Sequence, residues 1–108
     1  MILDIFTDGA CSGNPGPAGV GVVFKQDGVT IKEVSKSIGH GTNNIAEYSA
    51  LICALEEALA MKATVVHVHS DSELMCRQVN GKYAVKHENI KVLFDQVKKL
   101  KSGFKKFT

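Results

Sequence analysis

The feature that most limits the architecture is a change of hydrophobic period near residue 43. Before it, apolar and β-branched residues cluster in short runs, 2–7, 19–25 and 30–38, separated by turn formers. After it, Tyr48, Leu51, Ile52, Leu55 and Leu59 recur every three or four residues through 43–61. The first pattern predicts strands and the second predicts the longest helix. Gln26-Asp27-Gly28 carries the Asp-Gly signal of a hairpin, so the opening is expected to be a three-stranded antiparallel meander. Ser12-Gly13-Asn14-Pro15-Gly16-Pro17 reads as a loop directly beside Asp8. Residues 64–70 then predict a buried strand, 72–79 a short helix and 88–101 a longer one, with a last strand starting at Phe104. The order βββαβααβ, without repeat, low-complexity tract or linker, predicts a mixed α/β layer structure, with residues 1–108 as one domain.

Composition adds boundaries. With 108 residues and 44% hydrophobic content, the chain can bury a real but small core. A formal charge of only +2 gives no strong electrostatic argument for a polyanionic partner. Cys11, Cys53 and Cys76 form no CxxC pair, and an odd number cannot all pair internally, which favours a reducing cytoplasm. Met1 leads straight into an apolar strand with no basic stretch or cleavage site, and no apolar run approaches membrane-spanning length. A soluble, cytoplasmic protein without membrane contact is expected.

Three acids stand where chemistry gathers in α/β proteins: Asp8 at the end of the first strand, Glu47 in the first turn of the long helix, and Asp71 at the end of the fourth strand. If the first and fourth strands are parallel neighbours, Asp8 and Asp71 emerge side by side and the helix can lower Glu47 between them. Such a cluster needs a cation to relieve its repulsion. Mg²⁺ accepts carboxylate and water oxygens, and pairs of such ions serve phosphoryl transfer, so phosphodiester hydrolysis is the matching chemistry. Each acid also has a plainer reading. Ser70-x-x-Glu73 and Asn44-x-x-Glu47 resemble helix capping arrangements, and Asp8-Gly9 has the composition of a turn.

The words around these acids carry more. Phe6-Thr7-Asp8-Gly9-Ala10-Cys11-Ser12-Gly13-Asn14-Pro15-Gly16-Pro17 resembles the first-strand signature of type 1 ribonucleases H. Thr42-Asn43-Asn44-Ile45-Ala46-Glu47 resembles that family's second motif, and Val68-His69-Ser70-Asp71-Ser72-Glu73-Leu74 its third, all in the family's order along nearly the whole chain. The resemblance implies a ribonuclease H-like mixed five-stranded sheet, three antiparallel strands followed by parallel ones, flanked by helices. It implies metal-dependent endonucleolytic cleavage of the RNA strand of RNA·DNA hybrids, leaving 5′-phosphate and 3′-hydroxyl ends. Asp8, Glu47 and Asp71 would be catalytic carboxylates holding two Mg²⁺ or Mn²⁺ ions, with Gly9 in the metal site and Asp8 shared between the ions. Cys11, Gly13, Asn14, Asn43 and Asn44 match positions that read the ribose 2′-hydroxyl, and Ser12 joins them as a substrate-binding residue. Thr42 and Asn89 match a pocket for a DNA phosphate, although His40 stands where some relatives place an arginine.

Departures from the family pattern are visible as well. Only Gly-Lys-Tyr-Ala separates Asn80 from Val85, where some relatives carry a basic protrusion rich in Trp and Lys. Lys82, Lys86, Lys91, Lys98, Lys99 and Lys101 offer a milder basic strip, or a merely solvated face. Relatives continue through a complete fifth strand, a His-bearing loop and a last helix near a fourth catalytic Asp. The sequence therefore predicts an incomplete last strand, a missing final helix, a second ion short of a carboxylate, and association of two copies through the unfinished edge.

Two other readings compete. His67-x-His69-x-Asp71 resembles the HxHxD core of metallo-β-lactamase-like zinc hydrolases, but Ser72 replaces the next His and no later His or Asp set follows. The stronger rival is a hybrid-binding module or assembly subunit that keeps the ribonuclease H fold without cleaving. Gly19-x-Gly21 lacks the context of a nucleotide-cradling loop and predicts close backbone packing.

Overall fold

The computed structural model describes all residues, 1–108. The chain runs β1 (Ile2–Cys11), β2 (Gly16–Gln26), β3 (Val29–Gly41), α1 (Asn43–Ala60), β4 (Val65–Ser70), α2 (Glu73–Val79), α3 (Glu88–Lys101) and β5 (Lys106–Phe107). The five strands form one sheet in the order β3-β2-β1-β4-β5. β1, β2 and β3 pair antiparallel, and β4 lies parallel to β1 on one side and to β5 on the other. This is the mixed sheet that the resemblance implies, and the condition for bringing Asp8 beside Asp71 is met.

The strand ends differ from the sequence reading. β1 does not stop at Thr7 but stays paired with β2 through Cys11↔Ala18. The connection is closed by the Ser12 N–H donating to the Pro17 carbonyl at 2.8 Å. Asp8-Gly9 is thus strand rather than turn. Between β2 and β3 the expected hairpin forms, with Asp27 (φ 51°) and Gly28 (φ 80°) both left-handed, as a two-residue turn matched to strand twist requires. The last strand shrinks to Lys106–Phe107, because Phe104 instead turns inward to the core.

The core lies on one side of the sheet. Leu3, Ile5, Val22, Phe24 and Val66 point from the strands into α1, where Tyr48, Leu51 and Leu55 meet them. Ala46, Ala50, Ala54 and Ala58 are fully buried at four-residue spacing. This stripe of small side chains lets the helix lie close against β1, while Ile52 and Leu59 are only partly buried beside the cluster. α3 packs its Ile90 and Val97 against the same core. On the other face Ile2 and Phe6 remain 57% and 40% exposed.

No helix is long and apolar enough to cross a membrane. The structure lends no support to association through β5: an edge strand of two residues, flanked and occupied by Lys105 and Lys106, has the shortness and charge that blunt strand pairing.

Candidate active site

The site begins where two strands part. β1 and β4 pair from Ile2↔Val65 to Thr7↔Ser70 and no further. Beyond that fork β1 continues with β2 alone, so its β4-facing backbone groups have no ladder partner. Asp8 and Asp71 are the first residues past the fork on their strands, which brings the two acids out together. Side-chain alternation sends Asp8 to the sheet face opposite α1, with Asp4 and Phe6.

Glu47 arrives from the helix side. The N-cap of α1 is Thr42, whose hydroxyl accepts from the Ile45 N–H at 3.2 Å, so neither Asn44 nor Glu47 caps the helix. Glu47 is left free to reach over β1, where its Oε1 accepts from the Gly9 N–H at 2.5 Å. A carboxylate oxygen thus fills the place that a continuing β4 would have taken. The approach is possible only because position 9 has no side chain: a Cβ there would fall onto the backbone of Ala46 and Glu47. The capping reading of Asp71 falls in the same way, since Ser72 caps α2 by accepting from the Met75 N–H at 3.3 Å.

Electrostatically the three acids are one system. Burial raises the Glu47 pKa, the Gly9 hydrogen bond opposes that, and the negative charges of Asp8 and Asp71 raise it further. None of the three takes part in a salt bridge. They do not, however, close into a ready-made cage, because no three acidic, His or Cys side chains come together at metal-holding distance. Glu47 lines a depression with Asn14, Thr42, Asn43 and Asn44, Asp8 lines one on the open face with Cys11 and Ser12, and Asp71 lines a third with Thr7 and Cys76. The expected convergence on a single point is corrected to an arrangement around the fork. Like charges hold apart, and the Gly9 amide retains one Glu47 oxygen.

The polar loops gather beside Glu47. The Asn43 N–H donates to Asn14 Oδ1 at 3.1 Å, and the single proton of the Cys11 thiol faces two acceptors, the Gly13 carbonyl (2.5 Å) and Asn43 Oδ1 (3.0 Å). Five of the predicted positions, Gly9, Asn14, Thr42, Asn43 and Asn44, line the Glu47 depression together with Ser72 and Leu74. Ser72 and Leu74 were not singled out as site residues in the sequence, although they lie one and three residues after Asp71 in its motif. Asn89 is not brought there: it sits in the first turn of α3, its amide oxygen accepts from the Ile90 N–H at 2.9 Å, and it does not line the depression that contains Thr42. Two features had no sequence signal. The Thr7 hydroxyl is buried without a hydrogen-bond partner, and the Cys76 thiol has its pKa raised by burial and by the charge of Glu47.

The zinc reading of His67-x-His69-x-Asp71 fails on geometry. His67 is engaged with the Thr108 hydroxyl at 2.5 Å, while His69 stacks on Phe6 with ring centroids 4.5 Å apart and faces Asp4 at 3.3 Å. Both imidazoles are thus occupied by separate partners.

Comparison with known proteins is decisive for the family. Residues 6–108 match the reverse transcriptase-like family. The chain is 43% identical over 98% of its length to the bifunctional protein Rv2228c of Mycobacterium tuberculosis, and 38% identical over 92% of its length to the ribonuclease HI of Halobacterium salinarum. The solved N-terminal RNase H domain of Rv2228c superposes with a TM-score of 0.96 at 37% identity, covering all of this chain and 84% of that one. The chain belongs to the ribonuclease H family. LC11-RNase H1, another ribonuclease H, was solved in complex with an RNA/DNA hybrid, and it matches with a TM-score of 0.90 at 41% identity over 98% of this chain and 83% of that one. The chain spans 30% of the mycobacterial protein and 50% of the Halobacterium enzyme.

Proposed function

We propose that this ribonuclease H chain hydrolyses the RNA strand of RNA·DNA hybrids at the fork between β1 and β4, with Mg²⁺ or Mn²⁺ bound by Asp8, Glu47 and Asp71. The observation that carries the reading is the charge balance of the fork. Three carboxylates from three elements stand around it, burial and then the charges of Asp8 and Asp71 raise the proton affinity of Glu47, and none of the three makes a salt bridge. Hard oxygen donors of this kind fit a hard divalent cation. When bound, a pair of such ions supplies activation of the attacking water and charge stabilisation of the leaving oxygen, giving 5′-phosphate and 3′-hydroxyl ends.

The chain's own residues divide the remaining work. The Gly9 amide holds Glu47 in position above the strand, and Asp8 and Asp71, the first residues past the fork, would be the companion ligands. Asn14, Asn43 and Asn44 in the Glu47 depression, with Cys11, Ser12 and Gly13 of the adjoining loop, would present donors and acceptors to the ribose 2′-hydroxyl, the group that distinguishes RNA from DNA. Thr42, at the helix start, would hold a backbone phosphate, a contact that fixes register rather than sequence. Three unpaired cysteines accord with work in a reducing cytoplasm.

A hybrid-binding module without cleavage is the second reading, favoured by the lack of a preformed three-ligand group. One experiment separates the two. A hybrid labelled on its RNA strand should be cut by the chain in Mg²⁺, with activity falling by at least about a hundredfold for Asp8→Asn, in line with the loss of a group that acts in the transition state. Binding of the intact hybrid without any cleavage would overturn the catalytic reading in favour of the module.

A further inference from the structure

Charge is segregated along this chain. Five of its thirteen Lys and Arg residues, and none of its eleven acids, lie after residue 95. The fold gathers them at one end of the molecule. The backbone N–H groups of Lys105 and Lys106 donate to the Thr64 carbonyl, and Lys106 pairs with Val65 at the start of β4. The fork lies at the other end of that strand, about 17 Å away at roughly 3.3 Å per residue. Lys62, two residues before Thr64, belongs to the same end.

Lys98, Lys99, Lys105 and Lys106 are exposed, and neither they nor Lys101 makes a salt bridge. Aromatic rings lie among them: Lys98 stands 5.8 Å from the Phe94 ring centroid and Lys101 5.1 Å from that of Phe107. Lysines in the last turn of α3 complement the helix dipole. That role does not extend to Lys105 and Lys106, which lie beyond the helix. The nearest acid in the chain, Asp95, is engaged with Lys91 at 2.8 Å, and a cluster in which positive charge prevails opposes its own compactness, which a bound polyanion relieves.

We propose that this basic end is a second, sequence-independent contact for single-stranded nucleic acid, apart from the carboxylate fork. The choice of nucleic acid among polyanions rests on the function proposed above. A single strand is the form that fits: a duplex held at the fork is too stiff to bend round to the opposite end, whereas a flexible strand leaving the hybrid can follow the surface. Exposed lysines are the chemistry that tracks such a strand by phosphate pairing, while Phe94 and Phe107, packed against the core, support the lysine stems.

The test uses the full chain and a labelled single-stranded oligodeoxynucleotide, with binding followed by fluorescence anisotropy in chelator over a series of KCl concentrations. Changing Lys98, Lys99, Lys105 and Lys106 together to Gln should make the slope of log affinity against log salt shallower by about 0.7 for each phosphate that is no longer neutralised, up to about 3 in all. The corresponding Lys→Arg variant should retain the original slope, which separates removal of charge from damage to the fold. A variant with only Lys105 and Lys106 changed to Gln, residues outside the α3 strip, should cleave a blunt-ended hybrid at the unmodified rate under saturating substrate. An unchanged salt slope overturns the proposal, as does displacement of the oligonucleotide by polyglutamate at equal charge concentration, which would point to an acidic protein partner. Binding of the oligonucleotide by a chain that cuts no hybrid would count against the fork's assignment and leave this one standing.

Discussion

Glycine at position 9 is dictated by its neighbour across the core, not by the flexibility of its own strand. A methyl group there would occupy the backbone of Ala46 and Glu47, atoms that cannot swing aside as a side chain could. Gly9→Ala should therefore cost at least about 3 kcal/mol, the upper range for overpacking, and a urea titration would show the loss. Glu47 gives a second residue-scale prediction. Burial above all, opposed by the Gly9 hydrogen bond and aided by the charges of Asp8 and Asp71, lifts its pKa above the usual 4.5. A carboxyl raised in this way favours the folded state only while protonated, and that contribution is lost as pH rises through the folded pKa. In chelator at neutral pH, Glu47→Gln should melt at a higher temperature than the unmodified chain, and the gap should close as pH falls below 4.5. A melting gap that persists in acid would contradict this. The acids themselves were legible in the sequence because their motifs surround them. The role of Gly9 was not, because Asp-Gly has the same composition in a turn as in a strand pressed by a helix.

At the scale of elements, α1 joins stability to chemistry. Its N-cap Thr42 satisfies the Ile45 N–H and fixes where the helix starts, and five residues later the same helix delivers Glu47. Thr42→Ala should cost about 1 kcal/mol, read as a lower urea midpoint at unchanged slope, with weaker hybrid binding alongside. Hydrophobic periodicity found all three helices nearly to the residue. It overlooked the spacing of Ala46, Ala50, Ala54 and Ala58, because alanine carries too little hydropathy to mark a face even when fully buried. Strand ends were harder to read than helix ends. The β1–β2 hairpin extends to Cys11↔Ala18 on backbone pairing alone, across polar and small residues that show no alternation, and β5 is short because Phe104 serves the core. The Thr42–Asn89 pairing came from motif position, and nothing in the local sequence of α3 could show that Asn89 turns to its own backbone.

For the molecule as a whole, the sheet has two unlike faces. One is packed beneath α1 and α3, and the other carries Ile2 and Phe6 in the open beside charged and imidazole groups. The same kind of truncation should therefore have unequal effects. Leu55→Ala, in the packed layer, should lower stability by about 2–5 kcal/mol, whereas Phe6→Thr, on the open face, should stay within about 1 kcal/mol. Equal losses in chemical denaturation would mean that the two faces are not so different. The fork has a quieter effect. Where β4 leaves β1, the strand offers one orphaned backbone proton, and the helix answers with its acid. The chain thereby keeps a third negative group at a fixed address, tethered by a neutral amide instead of a counter-ion.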